Sequence, residues 1–374
     1  MLLALLPSAW ALDPSAMLES AQAKMDAGDL PGAEALASQL LQEYPSSPKA
    51  PGAQLMLGRI KLKATPDATQ DLLAAFFLVR TKYPQSPEAT DALVHIGFLH
   101  TRCDTAQAIS DFSSFMNEHP THPDAARVSQ SLGRLHLKTH DLDKAEASFD
   151  KAATISDAPT AVKDEAALQS GFVKIMRFYA DRKPAHLTAA MESLSRMSSS
   201  GNAKVRARAD LGIAECLLLL NKCTQARAKY QEAAQRYADQ PYFKGTALFG
   251  MACCSQARGE YETAIKDYEA VLASQTGTSL AEKDAAWKRI ALGSTSANAQ
   301  ALIQRDGSWG RLPGHDMVFE AVYNEAWCMS RLDQCSGATN LLTQLLGSLP
   351  EASELHARAA QLLSQCSSSA GGDK

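Results

Sequence analysis

Apolar and small residues recur along the chain at helical spacing, in short blocks separated by polar breaks. The first block runs through Ala21 and Met25 until Gly28 interrupts it, and a second follows through Leu36 and Leu40. Apolar residues three and four positions apart line one face of an α-helix. Each pair of blocks therefore predicts two antiparallel helices joined by a tight turn, that is, a helical hairpin.

Three nearly identical stretches divide the N-terminal part of this pattern: EYPSSPKA at 43–50, KYPQSPEA at 82–89 and EHPTHPDA at 118–125. The first proline of each stretch cannot continue a helix and forces the preceding residue out of helical conformation. The second proline suits the first turn of a new helix. Each stretch therefore predicts the end of one hairpin and the start of the next. The stretches begin 39 and then 36 residues apart, a period typical of a helical solenoid.

Later hairpins repeat one template, in which a small residue is followed by another twelve positions on. The pairs are Gly133 and Ala145, Ala214 and Ala226, Ala252 and Ala264, and Ala326 and Ala338. These residues resemble the tetratricopeptide (TPR) repeat. The Tyr-Pro-x-Ser-Pro endings are similar to the repeats of bacterial envelope proteins of the BamD and CpoB (YbgF) type.

The resemblance implies an all-α fold, a TPR-like right-handed α-solenoid of about eight or nine helical hairpins with a C-terminal capping helix. We predict the following divisions: a signal peptide at 1–11, an N-terminal array at 12–156, a degenerate hairpin or joint at 157–204, a C-terminal array at 205–366 with an irregular insertion at about 292–315, and a disordered tail at 367–374.

Charge and composition narrow the function. Hydrophobic residues make up 45% and charged residues 21% of the chain, as in ordinary core-forming proteins. The net charge of −4 gives no basic excess, which argues against a nucleic-acid partner. After the N-terminal segment, no stretch approaches the roughly 18 uninterrupted apolar residues of a membrane span. We therefore expect protein partners and no transmembrane segment, and the sequence leaves the oligomeric state open.

The N-terminal segment MLLALLPSAWA is apolar and ends in a small-x-small pattern that a signal peptidase recognises. It predicts a periplasmic or secreted protein. An apolar lead-in to the first helix is the alternative, and a cytoplasmic location would go with it.

The cysteines give a second indication of compartment. Cys216 and Cys223 lie seven residues apart, as do Cys328 and Cys335, and both pairs flank a predicted hairpin turn. If each pair faces across its hairpin, each forms a disulfide, which would imply an oxidising compartment. The alternative is that cysteine serves as a small apolar core residue, as we expect for Cys254. Cys103, Cys253 and Cys366 are left unpaired.

The sequence holds no catalytic constellation such as a nucleophile elbow, a phosphate-binding loop or a zinc-protease motif. His136 and His140, four apart in one predicted helix, and His119 and His122 in a connector are expected to be solvated or packed against turns. We therefore predict a protein that is not an enzyme and uses no cofactor or metal.

Binding residues are predicted by register. In each hairpin, the residue directly after the small residue of the first helix projects toward the groove that the first helices line. The residue four positions before that one projects the same way. This rule gives the groove residues Arg59, Arg134, Glu215, Phe249, Tyr323 and Trp327. Arginine and aromatic side chains are the usual anchors of an interface. The alternative for Phe249 and Tyr323 is that they pack between neighbouring hairpins.

A loop at 306–313 offers a second surface, with Trp309 and Arg311 between helix breakers. It either binds a partner or folds back to fill a gap beside a short hairpin. The sequence thus predicts a non-enzymatic scaffold of the bacterial periplasm or envelope that binds an extended segment in its concave groove, in outer-membrane assembly or Tol-Pal-like coordination. The alternative is an accessory subunit of a secretion or enzyme complex that binds through its convex face or this loop.

Overall fold

The computed structural model describes residues 13–294 and 316–370, and within these ranges the chain forms 18 helices and no strand. The predicted all-α repeat fold is confirmed. None of these helices combines the length and the apolar character that crossing a bilayer requires.

The chain divides into two compact units, residues 1–135 and 136–374, so the division falls inside one helix. The helices of the first unit are α1 Pro14–Asp26, α2 Leu30–Glu43, α3 Ala50–Ala64, α4 Thr69–Lys82, α5 Pro87–Cys103, α6 Thr105–Glu118 and the larger part of α7 Ala125–Lys138. The helices of the second unit are α8 Leu142–Thr154, α9 Thr160–Asp181, α10 Pro184–Met197, α11 Ala203–Leu219, α12 Cys223–Arg236, α13 Pro241–Ala257, α14 Tyr261–Ala273, α15 Leu280–Ser294, α16 Met317–Arg331, α17 Cys335–Leu346 and α18 Glu354–Ala370.

The three Pro-x-x-Pro connectors have one geometry, as their sequences predict. The residue that ends the preceding helix has φ −131° and ψ 53–55° at Tyr44, Tyr83 and His119 alike. Each of these residues still donates its backbone N–H to the carbonyl four residues back. The next helix then begins after a second turn, and Ser86 caps α5 by accepting the N–H of Ala89 at 3.2 Å. The proline pair therefore both ends one hairpin and positions the next.

Glycines allow the two helices of a hairpin to approach closely. A Cβ on Gly97 of α5 would lie 2.4 Å from Cε1 of Phe112 on α6, and a Cβ on Gly58 of α3 would lie 2.8 Å from the ring of Phe76 on α4. Both phenylalanines are fully buried. The same approach occurs between Gly250 and Tyr230 in the second unit. Small residues therefore fix how deeply the aromatic rings enter these interfaces.

Replacing Gly97 with alanine is expected to lower the free energy of unfolding by roughly 1–2 kcal/mol, because overpacking against Phe112 outweighs the better helix propensity of alanine. Urea unfolding followed by circular dichroism measures the change. Gly201→Ala is the matched control, since a Cβ there meets nothing within 4 Å. Equal stabilities of the two variants would contradict the close approach at Gly97.

The predicted degenerate hairpin or joint at 157–204 is a packed hairpin: Leu168 and Phe172 of α9 share a core with Leu187 and Leu194 of α10. The compact units separate between residues 135 and 136, inside the predicted N-terminal array at 12–156. The last helix continues to Ala370, beyond the predicted start of the tail at 367. Of the predicted signal peptide at 1–11 and insertion at about 292–315, only residues 292–294 lie within the described ranges.

Candidate protein-interaction site

A cavity of about 500 Å³ opens in the second unit between α13, α16 and α18. Its lining combines aromatic rings, amides and charges of both signs: Phe249, Cys253, Gln256, Ala257, Glu320, Tyr323, Asn324, Trp327 and Arg358. Ligand sites are typically concave, with a few polar groups set among apolar and aromatic ones. This cavity has that composition.

Helix α16 supplies one wall through a single stripe of residues. Glu320, Tyr323, Asn324 and Trp327 are three or four positions apart, so they lie on one face of the helix. The opposite face of α16 is buried against α17 in a core that includes Val322 and Ala326. Because that core fixes the rotation of α16, the stripe is held toward the cavity.

Two arginines pack on the aromatic rings of this stripe. The guanidinium of Arg358 lies 4.5 Å from the ring centre of Tyr323, and that of Arg331 lies 4.8 Å from Trp327. Tyr261 also meets Trp327 edge to face at 5.7 Å. Contacts of this kind hold a side chain in one orientation, so these rings are preorganised for contact with a ligand.

Helix α13 forms the other wall, and two of its four lining residues, Phe249 and Cys253, are buried. Phe249 is only 3% exposed and meets Tyr268 edge to face at 5.8 Å. The hydroxyl of Tyr268 donates to Oε1 of Gln256 at 2.6 Å and lies 3.6 Å from the Cys253 thiol. The bond from Tyr268 orients the part-exposed Gln256 side chain and engages its amide oxygen, so its amide nitrogen is a potential donor to a ligand.

A buried carboxyl lies beside the stripe. Glu325 is 4% exposed, and its Oε2 has no hydrogen-bond partner among the residues that the structure describes. Burial, together with the nearby charge of Glu269, raises the pKa of Glu325 to about 7. The group therefore titrates near neutral pH and is protonated in mildly acidic conditions.

The cavity brings together three of the six predicted groove residues, Phe249, Tyr323 and Trp327. Tyr323 and Trp327 are partly exposed, whereas Phe249 belongs mainly to the core, which was the alternative expectation for it. The predicted loop residues Trp309 and Arg311 lie outside the described residues.

The other three predicted groove residues lie elsewhere. Glu215 is 1% exposed and accepts a hydrogen bond from the Tyr179 hydroxyl at 3.3 Å, so the prediction that it faces an open groove is wrong. The register rule failed because α9, carrying Tyr179, packs beside α11 and covers that position. In the first unit, Arg59 is part-exposed and lies 3.5 Å from Asp91, so its charge is balanced locally. Arg134 is also only partly exposed.

The site contains residues that the register rule did not select. Glu320 and Asn324 share the spacing of Tyr323 and Trp327, so a search for one continuous stripe on α16 would have found them. Gln256 likewise follows Phe249 on the same face of α13. Arg358 comes from the last helix, far along the chain, and nothing in the local sequence indicates that it joins the cavity.

Sequence models described as the tetratricopeptide repeat match residues 10–87 in the first unit and residues 208–239 and 246–275 in the second. The chain carries tetratricopeptide repeats. Such repeats indicate a protein-interaction scaffold, typically a non-catalytic one. The finer resemblance to envelope proteins of the BamD and CpoB type stays a prediction. No curated protein matches the chain.

Solved structures are similar to this TPR chain in fold. One is PH0952 from Pyrococcus horikoshii, a STAND protein (signal transduction ATPase with numerous domains) with a tetratricopeptide repeat sensor. Its TM-score to this chain is 0.53 and the identity is 12%, and the match covers 96% of this chain and 50% of that chain. The apo form of RapI has a TM-score of 0.49 and 13% identity, and the match covers 96% of this chain and 99% of RapI. A TPR protein from Parabacteroides merdae ATCC 43184 has a TM-score of 0.40 and 16% identity, and the match covers 74% of this chain and 98% of that protein.

One cluster in the first TPR unit has the composition of a metal site. Potential ligand atoms of Asp91, His122 and Asp124 lie within 4.8 Å of one another. The backbone N–H of Asp124 donates to Nδ1 of His122 at 3.1 Å, which leaves the ring proton on Nε2, 3.2 Å from Asp91. A neutral imidazole in this state has no lone pair free for a metal. Arg59 and Arg127 also pair with the two carboxylates, so an ion-pair network explains the cluster better.

A second cavity, of about 320 Å³, lies beside α12, and four of its eight lining residues are charged. Its arginine, Arg236, donates to Asp210 at 2.8 Å and also pairs with Glu232. The Tyr237 hydroxyl donates to the same Asp210 carboxylate at 2.6 Å. Because these groups satisfy one another, this cavity is the weaker candidate for binding.

All eight cysteines are free thiols, and the two predicted disulfides are absent. Cys216 follows Ala214 by two residues, which places it about 200° around α11 and away from α12. It packs in the core formed with α9 and α10, while Cys223 belongs to the next core. Cys328 and Cys335 are likewise divided between two cores. The predicted pairing considered only distance along the hairpin and ignored the direction of each side chain.

Proposed function

We propose that this TPR chain is a non-enzymatic scaffold that binds an extended segment of a partner protein in the cavity between α13, α16 and α18. The observation that carries the proposal is the convergence of Tyr323, Trp327 and Arg358 from two helices on one opening of about 500 Å³. Aromatic and arginine side chains held in place by neighbours are the residues that dominate protein interfaces.

The chemistry of the lining suggests what the segment presents. The partly exposed rings of Tyr323 and Trp327 suit an apolar or aromatic side chain. The amides of Gln256 and Asn324 can hydrogen-bond with an extended backbone, which offers both donors and acceptors. Arg358 is exposed and suits an acidic group on the partner. A segment with an apolar anchor next to a carboxylate fits these groups best.

We further propose that the chain works in the bacterial periplasm or cell envelope, in outer-membrane assembly or Tol-Pal-like coordination. Support comes from the apolar N-terminal segment and from the resemblance of the Tyr-Pro-x-Ser-Pro endings to envelope repeats. Osmotic-shock fractionation of cells that make the full chain tests the location. A chain retained with the cytoplasmic markers would contradict it.

Photo-crosslinking tests the binding site directly. A photoreactive amino acid at position 324 is expected to capture a partner from envelope extract, and the same group at Lys229, beside the second cavity, is expected to capture less. Capture that is equal at both positions would contradict the assignment of the site.

Arg358→Glu is expected to weaken binding of the captured partner at least tenfold, because the variant places a carboxylate where the cavity presents a cation. Trp327→Ala is expected to weaken binding by a similar factor through loss of an anchor surface. Isothermal titration with the partner segment measures both. Lys266→Glu, on an exposed position of α14, also reverses a charge and is expected to bind normally. Unchanged affinity in both cavity variants would overturn the proposal.

A further inference from the structure

Six of the eight cysteines form two sets with the same spacing. Cys216, Cys223 and Cys254 are separated by seven and then 31 residues, and so are Cys328, Cys335 and Cys366. The middle cysteine is in each case the first residue of the second helix of a hairpin, α12 or α17. The last cysteine lies on the helix that follows, α13 or α18. The spacing therefore relates one hairpin to the next.

The structure brings the middle and last cysteines of each set together. Cys335 and Cys366 lie on helices α17 and α18, which pack against each other, and both side chains belong to the core of these helices. Burial, and after it the Cys335 thiol, raise the pKa of Cys366. Cys223 and Cys254 are both buried in one core. Two contacts bracket the pair: Arg227 donates to the Met251 carbonyl at 3.5 Å, and Arg258 donates to the Thr224 hydroxyl at 3.3 Å. The two pairs occupy equivalent places, each between the second helix of a hairpin and the following helix.

We propose that Cys335 and Cys366 form a reversible disulfide that fastens α18 to the last hairpin, and that Cys223 and Cys254 are the equivalent, more buried pair. The thiols differ in exposure, and this difference determines which of them a reagent from solution reaches first. Cys335 is part-exposed, whereas Cys366 is 2% exposed, Cys223 6% and Cys254 fully buried. Cys335 is therefore the thiol that a reagent from solution reaches first.

The oxidant is a small-molecule disulfide such as oxidised glutathione. The Cys335 thiolate attacks one glutathione sulfur, the glutathione S–S bond breaks, and one glutathione thiolate leaves. Cys366 then loses its proton and attacks the Cys335 sulfur of the mixed disulfide, which releases the second glutathione. The leaving thiolates take up the two protons. Two protein thiols are thereby oxidised to one disulfide, and one oxidised glutathione is reduced to two thiols.

A disulfide at this place would hold the capping helix against the array. Helix α18 also carries Arg358, which packs over Tyr323 at 4.5 Å, so oxidation would fix one wall of the cavity. That consequence rests on the proposed function, whereas the disulfide itself does not. The experiment below measures only the disulfide, so it can fail without affecting the proposed function.

Incubating the folded full chain with oxidised glutathione, followed by alkylation and trypsin, tests the pairing. Trypsin cuts after Arg331 and Arg358, which places Cys328, Cys335 and Cys366 in three different peptides. We expect peptide 332–358 joined to peptide 359–374 with loss of two hydrogens. We also expect the thiol count in denaturant to fall by three from eight, two through this disulfide and one through a glutathione adduct on the exposed Cys103.

Variants make the result decisive. In Cys366→Ser, Cys335 is expected to remain as a stable glutathione adduct, because no second thiol is in reach to displace it. Cys103 is exposed and is expected to take up glutathione in every variant, which reports that the oxidant is active. Three results would each overturn the proposal. They are a disulfide between Cys335 and Cys328, a lasting glutathione adduct on Cys335 in the wild type, and no reaction at Cys335 while Cys103 reacts.

Discussion

Replacing Trp287 with alanine is expected to lower the free energy of unfolding by about 4 kcal/mol. Trp287 is fully buried, and its ring stacks on Tyr242 with centroids 5.3 Å apart and planes 15° from parallel. It belongs to the core that joins α11–α14 to α16. Alanine would leave a cavity in that core, which neighbours held in several helices fill only in part. Urea unfolding followed by circular dichroism at 222 nm measures the loss.

Trp287→Phe is the matched control, because it keeps an aromatic ring against Tyr242 and removes less volume. It is expected to lower the free energy of unfolding by less than half as much as the alanine variant does. If both variants unfold at the wild-type urea concentration, Trp287 does not join these helices in the way that the structure shows.

Replacing Glu325 with glutamine is expected to stabilise the chain at pH 8 by roughly 3 kcal/mol and to leave its stability at pH 4 nearly unchanged. Burial raises the pKa of Glu325 in the folded state from its ordinary 4.5 to about 7. The folded state therefore binds this proton more tightly than the unfolded state does. Stability is lost as pH rises from about 4.5 to about 7 and is constant above that range.

Urea unfolding at a series of pH values measures the effect. The wild type is expected to lose stability across this interval, while the neutral amide in the Glu325→Gln variant does not titrate. Glu269→Gln is the control: Glu269 is exposed, and its nearby charge is the smaller cause of the raised pKa. Parallel pH profiles for wild type and Glu325→Gln would contradict a buried, unpartnered carboxyl.

The groove residues show how far register alone leads. The spacing of Tyr323 and Trp327 on α16 follows from their positions in the helix, and both side chains do line the cavity. The same rule fails for Glu215, because whether a position is open depends on the helix packed beside it. Arg358 was missed for a related reason, since it comes from a helix that no local pattern links to α16.

The cysteines also show what spacing along the chain can and cannot predict. The two sets have the same intervals of seven and 31 residues, which indicates that they occupy equivalent places in the repeat. The partner of each thiol is decided by the rotation of its side chain about the helix axis. A displacement of two residues turns a side chain by about 200°, so Cys216 points away from the helix that carries Cys223.

The amino-acid sequence alone predicts the helices, their ends at prolines and glycines, and the repeat that relates one hairpin to the next. These features depend on interactions within a few residues, such as the steric limits of proline at positions 45 and 84. Packing between helices sets which side chains meet between hairpins, which carboxyl is buried and which arginine reaches the cavity. Those outcomes depend on contacts between residues far apart in the chain, and the spacing of residues within one helix carries no information about them.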